Sequence, residues 1–105
     1  MAMSRIEQLQ EFLARTPEDA FLHHALALEY VKVDDDGEAE EHFRRNLEQV
    51  PEYTATYYHL GKLLERGGNN DEAIEIYQRG MKEAKAVRDM HTYNELQAAY
   101  EDLAY

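Results

Sequence analysis

Apolar and polar residues follow one another along this chain with the period of a helix. Between Thr54 and Ala84, the residues Tyr57, Leu60, Gly61 and Leu64 fall at i, i+3, i+4 and i+7. After Gly67-Gly68-Asn69-Asn70, the residues Ala73, Tyr77, Gly80, Met81 and Ala84 take up the same pattern. The spacing predicts two amphipathic helices joined as a hairpin. Gly61 and Ala73 put small side chains inside the apolar faces, which lets the two helix axes come close. Each helix of the pair keeps a second apolar edge, and the rest of the chain is expected to cover it.

Four more helices follow from the same reading. Ser4 with Glu7 makes a capping box, and Ile6, Leu9, Phe12 and Leu13 make the apolar stripe of a helix over residues 4–15. Thr16-Pro17-Glu18-Asp19 predicts a second start, with Thr16 as cap, Pro17 in the first helical position and two acids at the positive end of the dipole. That helix is expected to run to about Val33 on Leu22, Leu26, Tyr30 and Val33. Asp34-Asp35-Asp36-Gly37 ends it and caps a third helix, about 37–49, whose inner face carries Ala39, Phe43, Asn46, Leu47 and Val50. Pro51-Glu52 repeats the earlier break. Beyond Ala84 the helix is expected to continue to Val87 or Arg88. A last one, about 89–103, carries Tyr93, Leu96, Ala99, Tyr100 and Leu103. Six helices and no strand signal predict an all-α protein. The Met1-Ala2-Met3 start takes no part in the pattern.

The chain also matches itself at a fixed offset. Pro17 and Pro51, His23 and Tyr57, Leu26 and Leu60, Ala27 and Gly61, Tyr30 and Leu64, Ala39 and Ala73, and Phe43 and Tyr77 are each 34 residues apart. In this period, and in Tyr57-x-x-Leu60-Gly61-x-x-Leu64 … Gly68 … Ala73-x-x-x-Tyr77-x-x-Gly80, the chain resembles the tetratricopeptide repeat (TPR) family, in a short form of the bacterial type. The departures are mild. Leu64 stands for an aromatic, Gly80 for alanine, and Lys85 where proline would close the repeat. The first copy is weaker at His23, Ala27 and Asn46. Tyr93, Leu96 and Tyr100 echo Tyr57, Leu60 and Leu64 at an offset of 36, as if two residues were inserted near Val87–His91. The resemblance implies one domain over residues 1–105. It comprises a capping half repeat (4–15), a first repeat (17–50), a second repeat (51–85) and a closing helix (89–104), stacked as a right-handed superhelix of antiparallel helices. A stack of this kind needs about three repeats' worth of helices to bury enough surface, which the half repeats supply.

Composition narrows the possible partners. Acidic residues outnumber basic ones 22 to 11 in a chain of 105, for a net charge of −11. Nucleic acids and anionic membranes are bound by Lys and Arg, so this balance argues against both. It supplies a solvated acidic surface, with a preference for basic partners as the sharper alternative. The absence of cysteine removes disulfides and thiolate zinc sites. No apolar run suits a signal peptide or a membrane span, and a cytoplasmic protein is expected.

Catalytic chemistry finds no foothold. There is no Gly-rich phosphate loop, nucleophile elbow or HExxH, and the chain is expected not to be an enzyme and to need no cofactor. Asp34-Asp35-Asp36 with Glu38 lacks the spacing of a calcium loop and reads as a capped, solvated turn. His23 and His24 are adjacent and point to different sides of a helix. His24 and His59 are two ligands without a carboxylate beside them, so no metal site is expected.

The resemblance offers a better candidate. TPR stacks curve so that the first helix of each repeat lines a groove that takes a peptide or a partner helix. Carried onto this chain, that places Phe21, His24, Leu28 and Val31 of the first repeat and Tyr58, His59, Lys62 and Arg66 of the second on the groove side, with Asn94 from the closing helix. The chaperone-tail carboxylate clamp of some members needs Lys and Asn on that side. Here His24, Leu28 and His59 stand there, and only Lys62 and Arg66 are basic, so that specificity is not expected. The leading expectation is a protein–protein interaction module. Its alternative is a self-associating scaffold, a homodimer through groove or end helices.

Overall fold

Six helices make up almost all of residues 3–105, the part of the chain described in the computed structural model. They are α1 (Arg5–Arg15), α2 (Ala20–Lys32), α3 (Asp36–Gln49), α4 (Ala55–Arg66), α5 (Asn70–Ala86) and α6 (Met90–Ala104). No strand occurs among the described residues. Met1 and Ala2, part of the start set aside above, lie outside them. The fold divides between Val50 and Pro51 into two compact units, α1–α3 and α4–α6.

In the first unit α1 packs on α2 and α2 on α3. Leu9 and Leu13 of α1 meet Leu26 of α2, with Ile6, Leu22, Ala25 and Tyr30 around them. Phe12, expected in the stripe, is 49% exposed. Ile6, Leu9 and Leu13 stack at three- and four-residue steps, and at about 100° per residue Phe12 falls beside that line. Val33, also expected inside, is 60% exposed because it is the C-cap of α2 and no longer on the helix face. In the second unit α4 packs on α5, and α6 packs on both. Tyr57, Leu60, Ala73, Tyr77, Ala84 and Leu96 are fully buried there.

The capping box at Ser4 and Glu7 forms with both bonds in place. The expected start of α2 is displaced. Thr16 folds back instead, its N–H and its Oγ1 both bonding the Phe12 carbonyl at 3.1 Å. Pro17 and Glu18 lie in the turn, and Asp19 is the cap, accepting from Leu22 N at 3.1 Å. A proline ends one helix as readily as it begins the next, because it has no N–H to give. α3 starts one residue early, at Asp36, with Asp35 accepting from Glu38 N.

Two kinds of connection join the helices. In the first, a residue of positive φ follows the helix: Asp34 (60°), Gly68 (83°) and Arg88 (62°). The next N–H then reaches back to the carbonyl five residues earlier, in Asp35 to Tyr30 (2.9 Å), Asn69 to Leu64 (2.8 Å) and Asp89 to Ala84 (2.8 Å). The second kind ends at Thr16 (φ −136°, ψ 69°) and Val50 (φ −138°, ψ 72°), each followed by proline. Lys85 explains why α5 does not use it. Without proline the helix continues to Ala86, giving 17 residues against 14 in α3, and closes with the left-handed turn at Arg88. The offset of the closing helix from the 34-residue register follows from that longer helix.

Candidate functional site

The second unit positions its surface residues from the core outward. Gly61 and Gly80 are points of close approach among α4, α5 and α6. A Cβ on Gly61 would enter the Tyr77 ring, and one on Gly80 would meet Tyr57 and Leu96. Tyr57, wholly buried, donates its hydroxyl to the Pro51 carbonyl at 2.7 Å. The Tyr77 hydroxyl donates to the Glu65 carboxylate in a short hydrogen bond. Burial and that carboxylate hold the Tyr77 phenol far above its ordinary pKa, so it stays a donor. Glu65 in turn draws Lys62 Nζ to 3.6 Å, and the ammonium lies 5.6 Å from the Tyr58 ring centre. A line of interactions thus runs from the core at Tyr77 to the half-buried ring of Tyr58.

α6 faces this line. Its cap, Asp89, accepts from Thr92 N at 3.1 Å and from the Thr54 hydroxyl at 2.7 Å, tying α6 to the residue that precedes α4. Those bonds hold the Asp89 carboxyl below its ordinary range. Between α4 and α6 lies a cleft of about 250 Å³, lined by Tyr58 and Lys62 on one side and Glu95, Ala98, Ala99 and Asp102 on the other. His59 is half-buried, its ring edge-on to Tyr58 at 5.5 Å. Burial pushes its imidazole pKa down, against the charge of Glu95. Arg66 is exposed in the last turn of α4.

The other four expected site residues belong to α2 in the first unit. Phe21 is 60% exposed, and Leu28 and Val31 are half-buried. His24 is buried, its ring 5.7 Å from that of Phe43, so within its unit it contributes to the α2–α3 packing. His23 takes the role of Tyr57: its Nε2 lies 2.7 Å from the Pro17 carbonyl. A carbonyl only accepts, so Nε2 carries the hydrogen and the Nδ1 of the neutral ring is an acceptor. His42 Nδ1, 2.9 Å away, is therefore the donor to it. The His42 ring stacks on Tyr30 at an interplanar angle of 13°. Burial lowers the His42 pKa, helped by His23 and Arg45 and opposed by Glu41.

Of the eight expected residues, the structure brings Tyr58 and Lys62 together in one cleft, with His59 beside Tyr58. The acids of α6 were missed. Asn94 was the expected contributor, whereas Glu95, Ala98, Ala99 and Asp102 line the cleft. Their i, i+3, i+4, i+7 spacing marks one helical face and was the available signal. Among the described residues, no group of three or more His, Asp or Glu is placed to hold a metal ion. No helix among them is long and apolar enough to cross a membrane.

Comparison with known proteins places this arrangement. The family model described as tetratricopeptide repeat matches residues 54–86. A TPR repeat-containing protein of Pseudomonas aeruginosa is 31% identical over 91 residues, covering 87% of this chain and 87% of that protein. A tetratricopeptide repeat domain protein from Salinibacter ruber, solved by NMR in solution, is 40% identical. It superposes with a TM-score of 0.80 over 83% of this chain and 88% of its own. A protein from Bordetella parapertussis, also solved in solution, is 26% identical with a TM-score of 0.83, over 98% of this chain and 90% of its own.

Proposed function

This chain belongs to the tetratricopeptide repeat family, and on that premise we propose that it is a non-enzymatic interaction module whose α4–α6 cleft seats a segment of a partner protein. Domains of this fold generally mediate protein–protein interactions. The observation that carries the proposal is the setting of Tyr58. Its ring is half-buried at the edge of an open cleft, with the Lys62 ammonium near its face and alanines opposite. A tyrosine held this way offers a large contact area at small entropic cost, as binding hot spots do. The alanines leave room for an incoming side chain. On α2, Phe21, Leu28 and Val31 share one helical face with His24, and we assign that face of the first unit a contact role as well.

Affinity capture from the native cell tests the reading, with wild type and a Tyr58→Ala, Lys62→Ala variant compared side by side. Both residues lie outside the fully buried core, so the variant is expected to melt within a few degrees of wild type and to lose the captured partner. Equal recovery by a variant with unchanged circular dichroism removes the cleft as the binding site. Phe21→Ser, read the same way, tests α2 separately.

A further inference from the structure

We infer that the partner segment is basic, presenting two cationic side chains about 10 Å apart on either side of an apolar one. This rests on the cleft reading above and adds the chemistry of the occupant. The cleft is asymmetric in charge. Its α4 wall carries Lys62, but that ammonium is engaged on its own helix by Glu65 at 3.6 Å. Its α6 wall carries Glu95 and Asp102 and no cation, because α6 contains neither lysine nor arginine. Glu95 has one long ion-pair contact, to the highly exposed ring of His91 at 3.7 Å, and its charge also acts on the half-buried His59. Asp102 has no ion-pair partner among the described residues. Between the two acids lie Ala98 and Ala99, with Tyr58 across from them.

Glu95 and Asp102 are two helical turns apart, which is about 10 Å along the axis at ~1.5 Å per residue. A cationic pair with that separation occurs at i, i+3 in a polyproline-like segment, at about 3.1 Å per residue, or at i, i+7 on a helix. The side chain between them falls on the alanines and Tyr58. An acidic segment would bring further negative charge to two carboxylates that no lysine or arginine pairs with among the described residues, on a chain of net charge −11. The same charge attracts a basic segment at long range.

The test is an NMR titration of the 15N-labelled full chain with three short peptides built of a repeated Xaa-Leu-Pro triplet, in which Xaa is arginine, serine or glutamate and therefore recurs at i, i+3. The arginine peptide is expected to shift the amides of Tyr58, Glu95, Ala98 and Asp102, to weaken with added salt, and to bind more tightly than the other two. A Glu95→Gln, Asp102→Asn variant, both changes on exposed side chains, is expected to bind it about three- to tenfold more weakly. Equal binding of the serine and arginine peptides at the cleft, or a variant that binds like wild type, overturns the charge assignment and leaves the cleft reading standing. Shifts that avoid the cleft with all three peptides overturn both. Cleft shifts that grow with protein concentration alone identify a second copy as the occupant and overturn the basic-segment proposal.

Discussion

The hairpins α2–α3 and α4–α5 occupy the same places in successive copies of one pattern, yet they are held by different chemistry. In α4–α5, Gly61 admits the Tyr77 ring and Glu65 accepts its hydroxyl. Thirty-four residues earlier the same three places hold Ala27, Phe43 and Val31. At those places the first hairpin has neither a phenol to satisfy nor an acid. At the entry to each hairpin the pattern is reversed: the bond is kept and the residue changes. Tyr57 reaches the Pro51 carbonyl through a hydroxyl and His23 reaches the Pro17 carbonyl through a ring N–H, both at 2.7 Å. The repeat thus prescribes a contact at the proline and a close approach in the hairpin. Which atoms meet those demands is free to vary, provided every buried polar atom finds a partner.

The sharpest way to break this comparison is to exchange the small residues. Gly61→Ala drives a methyl group into the Tyr77 ring and is expected to cost about 1–3 kcal/mol of stability. Ala27→Gly meets no such obstacle and is expected to cost about 1 kcal/mol through helix propensity. Urea denaturation of the two variants checks the order, and equal losses would mean that the hairpins are packed alike.

A double-mutant cycle at Tyr77 and Glu65 sharpens it further. Tyr77→Phe and Glu65→Val bring the second hairpin to the residues of the first. Each alone removes the hydroxyl–carboxylate bond, and because Glu65 is partly exposed the coupling energy is expected to be about 1 kcal/mol, below that of a fully buried bond to a charged group. Additive effects would make Glu65 a spectator.

The smallest expected effect is on pH dependence. The His42 imidazole is held below its ordinary pKa by burial first, with His23 and Arg45 acting the same way and Glu41 against them. The unfolded chain takes up that proton near pH 6.5 and the folded one resists until lower pH. Stability is therefore retained above about pH 6.5 and lost as the pH falls through the folded-state value. His59 carries the same sign in the second unit, with Glu95 opposing. His42→Gln and His59→Gln are each expected to flatten the fall in melting temperature between neutral and mildly acidic buffer. An unchanged slope in both would locate the proton uptake elsewhere.

Much of the fold was legible because helices announce themselves by period and caps. Ser4 with Glu7, Asp35 ahead of Glu38 and the Tyr57–Leu64 and Ala73–Ala84 stripes all lie where the pattern predicts. The errors came where one residue serves two purposes. Thr16-Pro17 reads as a helix start but closes the helix before it, and Phe12 and Val33 read as core from hydrophobicity alone while lying beside the stripe or past the helix end. The cleft was half legible. Tyr58 and Lys62 sit on a helix whose other face is plainly core. The α6 wall was obscured by two inserted residues, which move it out of the register that located the rest. Long-range pairings such as His23 with His42, 19 residues apart on different helices, leave no trace in periodicity.

The pairing of those two imidazoles has a spectroscopic consequence. The hydrogen on His42 Nδ1 is confined between two ring nitrogens 2.9 Å apart in a partly buried site. It is expected to resonate well downfield of the backbone amides, to exchange slowly with solvent, and to show a through-bond coupling to both nitrogens. The proton exists in that position only while α2 and α3 are packed and the Pro17 carbonyl fixes the opposite nitrogen of His23. One resonance thus reports the integrity of the first hairpin.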